Sequence, residues 1–199
     1  MIKTFNYLFV TCFGIGSFRY APGTIASFIT TIFLFSLFHV IVLSNTVILL
    51  VLLIIFFYSF YGVSEYIKNN KNKDPREVVI DEFIGQSIPI YLYEISHETL
   101  KNSQEAALFY LYIFILFRYF DIKKPFPVSY FDKKFKNSFG VIIDDVVAGL
   151  YVVLTLIIFM VIKSKSSFNF KEEKNEYFFC GVLYWWIAFK RHNFCKRIF

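Results

Sequence analysis

Cysteine and histidine are scarce in this 199-residue chain, three of each. Cys12, Cys180 and Cys195 form no Cys-x-x-Cys pair, and their odd number gives no disulfide framework. His39, His97 and His192 are scattered, which argues against a zinc site, a histidine-centred triad or a histidine nucleophile. An Asp-x-Asp-x-Thr nucleophile motif is absent. A thiolate phosphatase loop needs Cys-x5-Arg, but Cys12 and Arg19 are one residue too far apart, and Thr11 stands where that loop has histidine. No cleavable leader is expected, because a Gly-x-Gly and an arginine interrupt the first apolar run before any small-residue cleavage site.

Apolar residues are what the chain has instead. Hydrophobic residues make up 57% and the mean hydropathy is +0.54, too apolar for an ordinary soluble protein of one domain. The 28 phenylalanines carry no functional weight, since an AT-rich genome produces the same bias. A net charge of +6 suits a membrane surface or an anionic substrate.

Wide apolar runs at 28–43, 47–61, 83–93, 106–117 and 146–162 lack period-two alternation and read as helices. A full membrane crossing takes about 20 apolar residues, with a lower limit near 17. Only 146–162 reaches that limit alone, and the first two approach it with their flanks. The third and fourth are short: they re-enter the membrane or pack inside the bundle, and Pro89 bends the third. The fold expected is an all-α, membrane-associated bundle with an undetermined number of crossings.

If each hairpin doubles back, one side collects "APGTIAS" (21–27), Asp81-Glu82, "FRYFDIKKP" (117–125) and Asp144-Asp145. Twelve of the 21 lysines and arginines fall on that side, one (Lys101) in the opposite connectors and eight after residue 162. The positive-inside rule then puts the convergent side in the cytoplasm.

Acids at helix N-termini are often simple caps, and Asp81 and Asp144 have that reading. Asp121 fits it poorly, because it follows the C-terminal end of an apolar helix, although Arg118 three residues earlier is a ready ion-pair partner. Five carboxylates at one level repel unless a cation sits among them, and Mg²⁺ takes such oxygen ligands together with water and substrate phosphate. Arg118 and Lys124 suit the phosphate, one as a fork and one as a point charge. Gly23 and Thr24, at the start of the first long helix, make an anion-binding N-terminus or an ordinary cap. With Asp144 better placed as the cap, Asp145 is the expected ligand.

"GIGSFRYAPGTIAS", "DEFIGQ", "FRYFDIKKPFPVSYFD" and "GVIIDDVVAGL", in that order and spacing, resemble the phosphatidylglycerophosphatase A family over about residues 10 to 162. The resemblance implies an all-helical, Mg²⁺-dependent membrane phosphatase that converts phosphatidylglycerophosphate into phosphatidylglycerol and phosphate. Matching motifs carry over Thr24, Asp81, Glu82, Arg118, Asp121, Lys124, Asp144 and Asp145. The roles expected of them are metal ligation by Asp81, Glu82, Asp121, Asp144 and Asp145, phosphate binding by Arg118, Lys124, Thr24 and Gly23, and catalysis by Asp145, Asp121 and Arg118. Attack by water, with a carboxylate taking its proton, is the expected reaction.

The partner implied is a phospholipid in a bacterial-type inner membrane, with no nucleic acid; the oligomeric state is left open. Residues 1–162 form the expected domain, and 163–199 a basic, aromatic extension whose Trp pair suits an interfacial helix. The rival reading is a non-enzymatic membrane scaffold or transporter subunit, whose acids belong within the apolar runs rather than at their ends.

Overall fold

The structure is a computed structural model that describes residues 2–69, 75–96, 103–126, 128 and 138–169. Of the extension expected at 163–199, residues 170–199 with the Trp pair lie outside the described residues, as do Cys180, Cys195, His97, His192 and Lys101. Six α-helices and no strand occur among the described residues: α1 (Ile2–Val10), α2 (Pro22–Phe35), α3 (Asn45–Asn69), α4 (Ile80–Ile95), α5 (Ser103–Lys123) and α6 (Ser138–Asn169). The chain divides into two compact units, Met1–Val153 and Leu154–Phe199. All the site geometry below belongs to the first.

α3, α4, α5 and α6 outrun the apolar stretches that announced them at both ends, and α2 does so at its start. α2 begins at Pro22, which takes a first-turn position where its missing N–H costs nothing. It continues past Phe35 as a π-helical turn, Ser36–Val40. α1 had no counterpart among the expected helices; it packs on α3, and the Asn6 side chain donates to the Gly62 carbonyl at 2.9 Å. Pro22–Val40, Asn45–Lys68 and Ser138–Ile162 are long and apolar enough to cross a membrane. Their outward faces carry large exposed apolar side chains such as Ile32, Leu50, Ile54, Phe57 and Ile158, as a lipid solvent allows.

The two runs expected to be short give helices of 16 and 21 residues, α4 and α5, and α4 packs inside the bundle against α2, α3 and α5. Ile80, Ile84, Gly85, Gln86, Ser87, Pro89, Ile90, Tyr93 and Glu94 are all buried. Its polar groups therefore need protein partners: Gln86 Nε2 donates to Thr31 Oγ1 at 3.1 Å, and Glu94 Oε1 meets His39 Nε2 at 3.3 Å. On α2 the hydroxyls of Ser27, Thr30 and Thr31 donate to the carbonyls four residues back, which satisfies them without water. α5 turns one stripe inward, Ala106, Phe109, Tyr110, Ile113 and Phe117, at helical spacing. A core of Val10, Val63, Val78, Ile80, Ile84 and Ile142 ties α1, α3, α4 and α6 together next to the start of α4.

Candidate active site

Asp81 and Glu82 stand in the first turn of α4, where the free N–H groups favour negative charge. The N-cap is Val79, with no side-chain cap bond, so Asp81 is not the cap that its position suggested. Val79 is fixed from outside: its N–H donates to the Val10 carbonyl at 3.0 Å and its carbonyl faces Cys12 Sγ at 3.7 Å. The end of α1 thus holds the entry to α4, a contact that the sequence gives no means of foreseeing.

Asp144 and Asp145 correct a second expectation. α6 starts at Ser138, so both sit in its second turn and neither is an N-cap. The turn ahead of the pair is held by packing, with Ile142 in the core and Val141 against it, so the helix starts upstream and the pair lies inside it. Both are buried. Asp144 bonds Lys124 Nζ at 2.8 Å through Oδ2 and accepts the Asp145 N–H through Oδ1 at 3.1 Å.

The structure brings one oxygen each from Asp81, Glu82 and Asp145 within 4.8 Å of one another. Asp144 is not in that trio, being held by Lys124. Asp121 adjoins it: its side chain hydrogen-bonds with that of Asp145, and its charge bears on Glu82. Asp121 lies within the last turn of α5 and not beyond it, and its Oδ2 takes the Arg118 guanidinium at 2.7 Å. Arg118 Nη1 also reaches Ser27 Oγ at 3.4 Å, on the first turns of α2.

Burial pushes the Asp81 carboxyl well above the usual carboxylate range, with the Glu82 charge beside it adding to the effect. Glu82 is raised too, chiefly by burial, with Arg118 and the hydrogen bond to Asp81 acting against the rise. Asp81 Oδ1, Glu82 Oε2 and Arg118 Nε are buried without a hydrogen-bonding partner. Orphaned carboxylate oxygens in a converging trio are what a hard divalent cation would satisfy, and the orphaned guanidinium N–H is what an anion would. The residues fit both.

Gly23, in the first turn of α2, lies against this trio. A Cβ there would run into Glu82 Oε1, so with any other residue the Glu82 carboxyl would have to shift. Thr24 is the third residue of α2 and half-buried, inside the helix and not at its start.

A carboxylate trio beside an arginine, inside a helical bundle with three helices long and apolar enough to cross a membrane, makes a site of the class that handles a metal ion and a phosphate. The chain belongs to the phosphatidylglycerophosphatase A family, whose family model matches residues 8–160. Phosphatidylglycerophosphatase A of Haemophilus influenzae is 33% identical over 153 residues, 75% of this chain and 85% of the relative. A Bacteroides thetaiotaomicron protein named "Putative phosphatidylinositol-3-phosphatase" is 29% identical over 143 residues, 71% of this chain and 84% of its own length. Phosphatidylglycerophosphatase A of Escherichia coli is 35% identical over 77 residues, 39% of this chain and 40% of the relative. No solved structure matches the chain significantly. Family membership makes the protein a lipid phosphatase and sets the scaffold and transporter readings aside.

Proposed function

We propose that the chain removes the terminal phosphate of phosphatidylglycerophosphate with the help of Mg²⁺ held by Asp81, Glu82 and Asp145. The observation that carries this reading is the converging trio with its orphaned oxygens beside an orphaned Arg118 Nε–H. When bound, Mg²⁺ supplies positive charge against the phosphoryl oxygens and makes water more acidic.

The chain's own groups do the rest. Arg118, braced by Asp121 and Ser27, keeps Nε–H to donate to a phosphate oxygen, and the α2 N-terminus at Gly23 and Thr24 favours the same negative charge. Lys124 adds charge at the rim through its pair with Asp144. Asp121, anchored through Oδ2, takes the proton of the attacking water, with its hydrogen-bonded neighbour Asp145 sharing it. Residues 1–162 form the catalytic domain and 163–199 an extension. The asymmetry of Lys and Arg supports a site on the cytoplasmic face of the membrane.

The test is phosphate release by purified protein in detergent, with phosphatidylglycerophosphate, phosphatidylinositol 3-phosphate, phosphatidate and a soluble phosphomonoester compared. Phosphatidylglycerophosphate should be the best substrate; EDTA should abolish turnover and Mg²⁺ restore it. Faster release from phosphatidylinositol 3-phosphate would reassign the substrate, and full activity under thorough chelation would remove the metal.

A further inference from the structure

Asp81 on α4 and Asp145 on α6 share a local pattern that the proposed chemistry does not by itself require. Each is followed four residues later by glycine, Asp81 by Gly85 and Asp145 by Gly149. Four residues is about one helical turn, so each glycine lies roughly below its aspartate on the same face.

The two helices meet at those glycines, backbone against backbone. A Cβ on Gly149 would strike the Gly85 carbonyl oxygen, and a Cβ on Gly85 would lie 2.6 Å from the Asp145 carbonyl oxygen and 2.8 Å from the Phe117 ring. Neither collision involves only the tip of a flexible side chain. Pro89, four residues after Gly85, has no N–H to give the Gly85 carbonyl, which leaves that carbonyl facing the neighbouring helix at Gly149. Close glycine crossings of this kind are how helices approach in a membrane setting, with Cα–H groups set against carbonyls.

We propose that the Gly85–Gly149 crossing is the positioning device of the site: it sets the separation of α4 and α6, and through it the spacing of the Asp81, Glu82 and Asp145 oxygens. The three oxygens within 4.8 Å come from two helices, so their spacing follows the interhelical distance one turn below. A single methyl group at the crossing forces the helices apart and opens the trio. This inference rests on the cation reading of the trio.

The experiment measures Mn²⁺ binding by electron paramagnetic resonance on purified protein in detergent, alongside turnover. Gly149→Ala should remain helical and bind Mn²⁺ about ten-fold or more weakly, in the range seen when the surroundings of metal ligands are disturbed. Gly62→Ala is the control: its Cβ would meet Asn6 Oδ1 at 2.9 Å at the α1–α3 contact, and it should leave the Mn²⁺ affinity unchanged. In Gly149→Ala, the added Asp145→Glu, one methylene longer, should recover part of the affinity, which a general folding defect would not permit. Pro89→Ala removes atoms from the crossing and returns a donor to the Gly85 carbonyl, so it keeps the test open if Gly149→Ala does not fold. It should also weaken Mn²⁺. Wild-type affinity in folded Gly149→Ala, or in Pro89→Ala, would overturn the positioning role. No Mn²⁺ binding by the unaltered protein would instead overturn the cation reading beneath it.

Discussion

Lys124 Nζ lies 2.8 Å from Asp144 Oδ2, and this pair ties the end of α5 to the second turn of α6. Lys124 directly follows α5, donates its N–H to the Phe120 carbonyl at 2.9 Å, and holds φ at 41°. That is a helix-ending left-handed residue, a position that usually belongs to glycine. A non-glycine residue there costs about 1 kcal/mol, so the backbone gives up stability to aim an ammonium at Asp144.

The strain makes a first prediction. Lys124→Gly and Lys124→Ala both lose the ion pair, but glycine accepts the backbone angle. Thermal unfolding in detergent should find the glycine variant more stable than the alanine variant by about 1 kcal/mol. Both should lose the same part of the wild-type activity. Equal stabilities would show that the angle carries no strain.

Asp145 and Asp144 should separate in function. Asp145→Asn takes an anionic oxygen from the trio and should reduce phosphate release by about 100-fold or more while the circular dichroism stays helical. Asp144→Asn leaves the trio whole and weakens only the hold on Lys124, so a loss of about ten-fold is expected. Near-normal hydrolysis by well-folded Asp145→Asn would exclude Asp145 from the reaction.

The raised carboxyls of Asp81 and Glu82 fix the sign of a pH effect. A carboxyl with a higher pKa in the folded state takes up a proton on folding. Its contribution to stability is therefore complete below the unfolded value and is lost as pH rises through the folded one. In chelator-treated protein the melting temperature should rise as pH is lowered from neutral towards the ordinary carboxylate range. Mg²⁺ should flatten that slope, because it takes the proton's place. A melting temperature that falls on mild acidification in EDTA would contradict the arrangement.

Cys12 is the remaining nucleophile near the site, and it is a poor one. Burial, with the Glu82 charge adding to it, pushes its thiol up to about 12, and Sγ is turned to the Val79 carbonyl at 3.7 Å. The thiol stays protonated near neutrality, so alkylation followed by peptide mass spectrometry should be slow at Cys12 and accelerate only at strongly alkaline pH. Cys12→Ser should keep most of its turnover. An inactive but folded Cys12→Ser would revive thiolate chemistry.

Most of the site residues were legible because they interrupt apolar sequence. Asp81, Glu82, Asp121, Asp144 and Asp145 stand out where a carboxylate costs several kcal/mol unless something holds it. The capping role given to Asp144 was misplaced for a local reason. Helix ends depend on propensity and on contacts beyond the apolar run, and α6 begins eight residues before residue 146, at Ser138. α1 was missed because its run ends in Cys12-Phe13-Gly14, all at positive φ, and its buttressing of Val79 is a tertiary contact. The π turn at Ser36–Val40 and its His39–Glu94 pair left no readable signal either.

By itself the sequence determined the solvent, the helical class and the family. A chain this apolar must satisfy its backbone within helices, and four ordered motifs are hard to match by accident. Only the tertiary structure decided which acids face one another. Asp144 and Asp145 are neighbours in sequence and about 100° apart around α6, so one turns to Lys124 and the other joins Asp81 and Glu82. The spacing of that trio goes with the close approach of α4 and α6 at Gly85, Gly149 and Pro89, which carry no chemistry of their own.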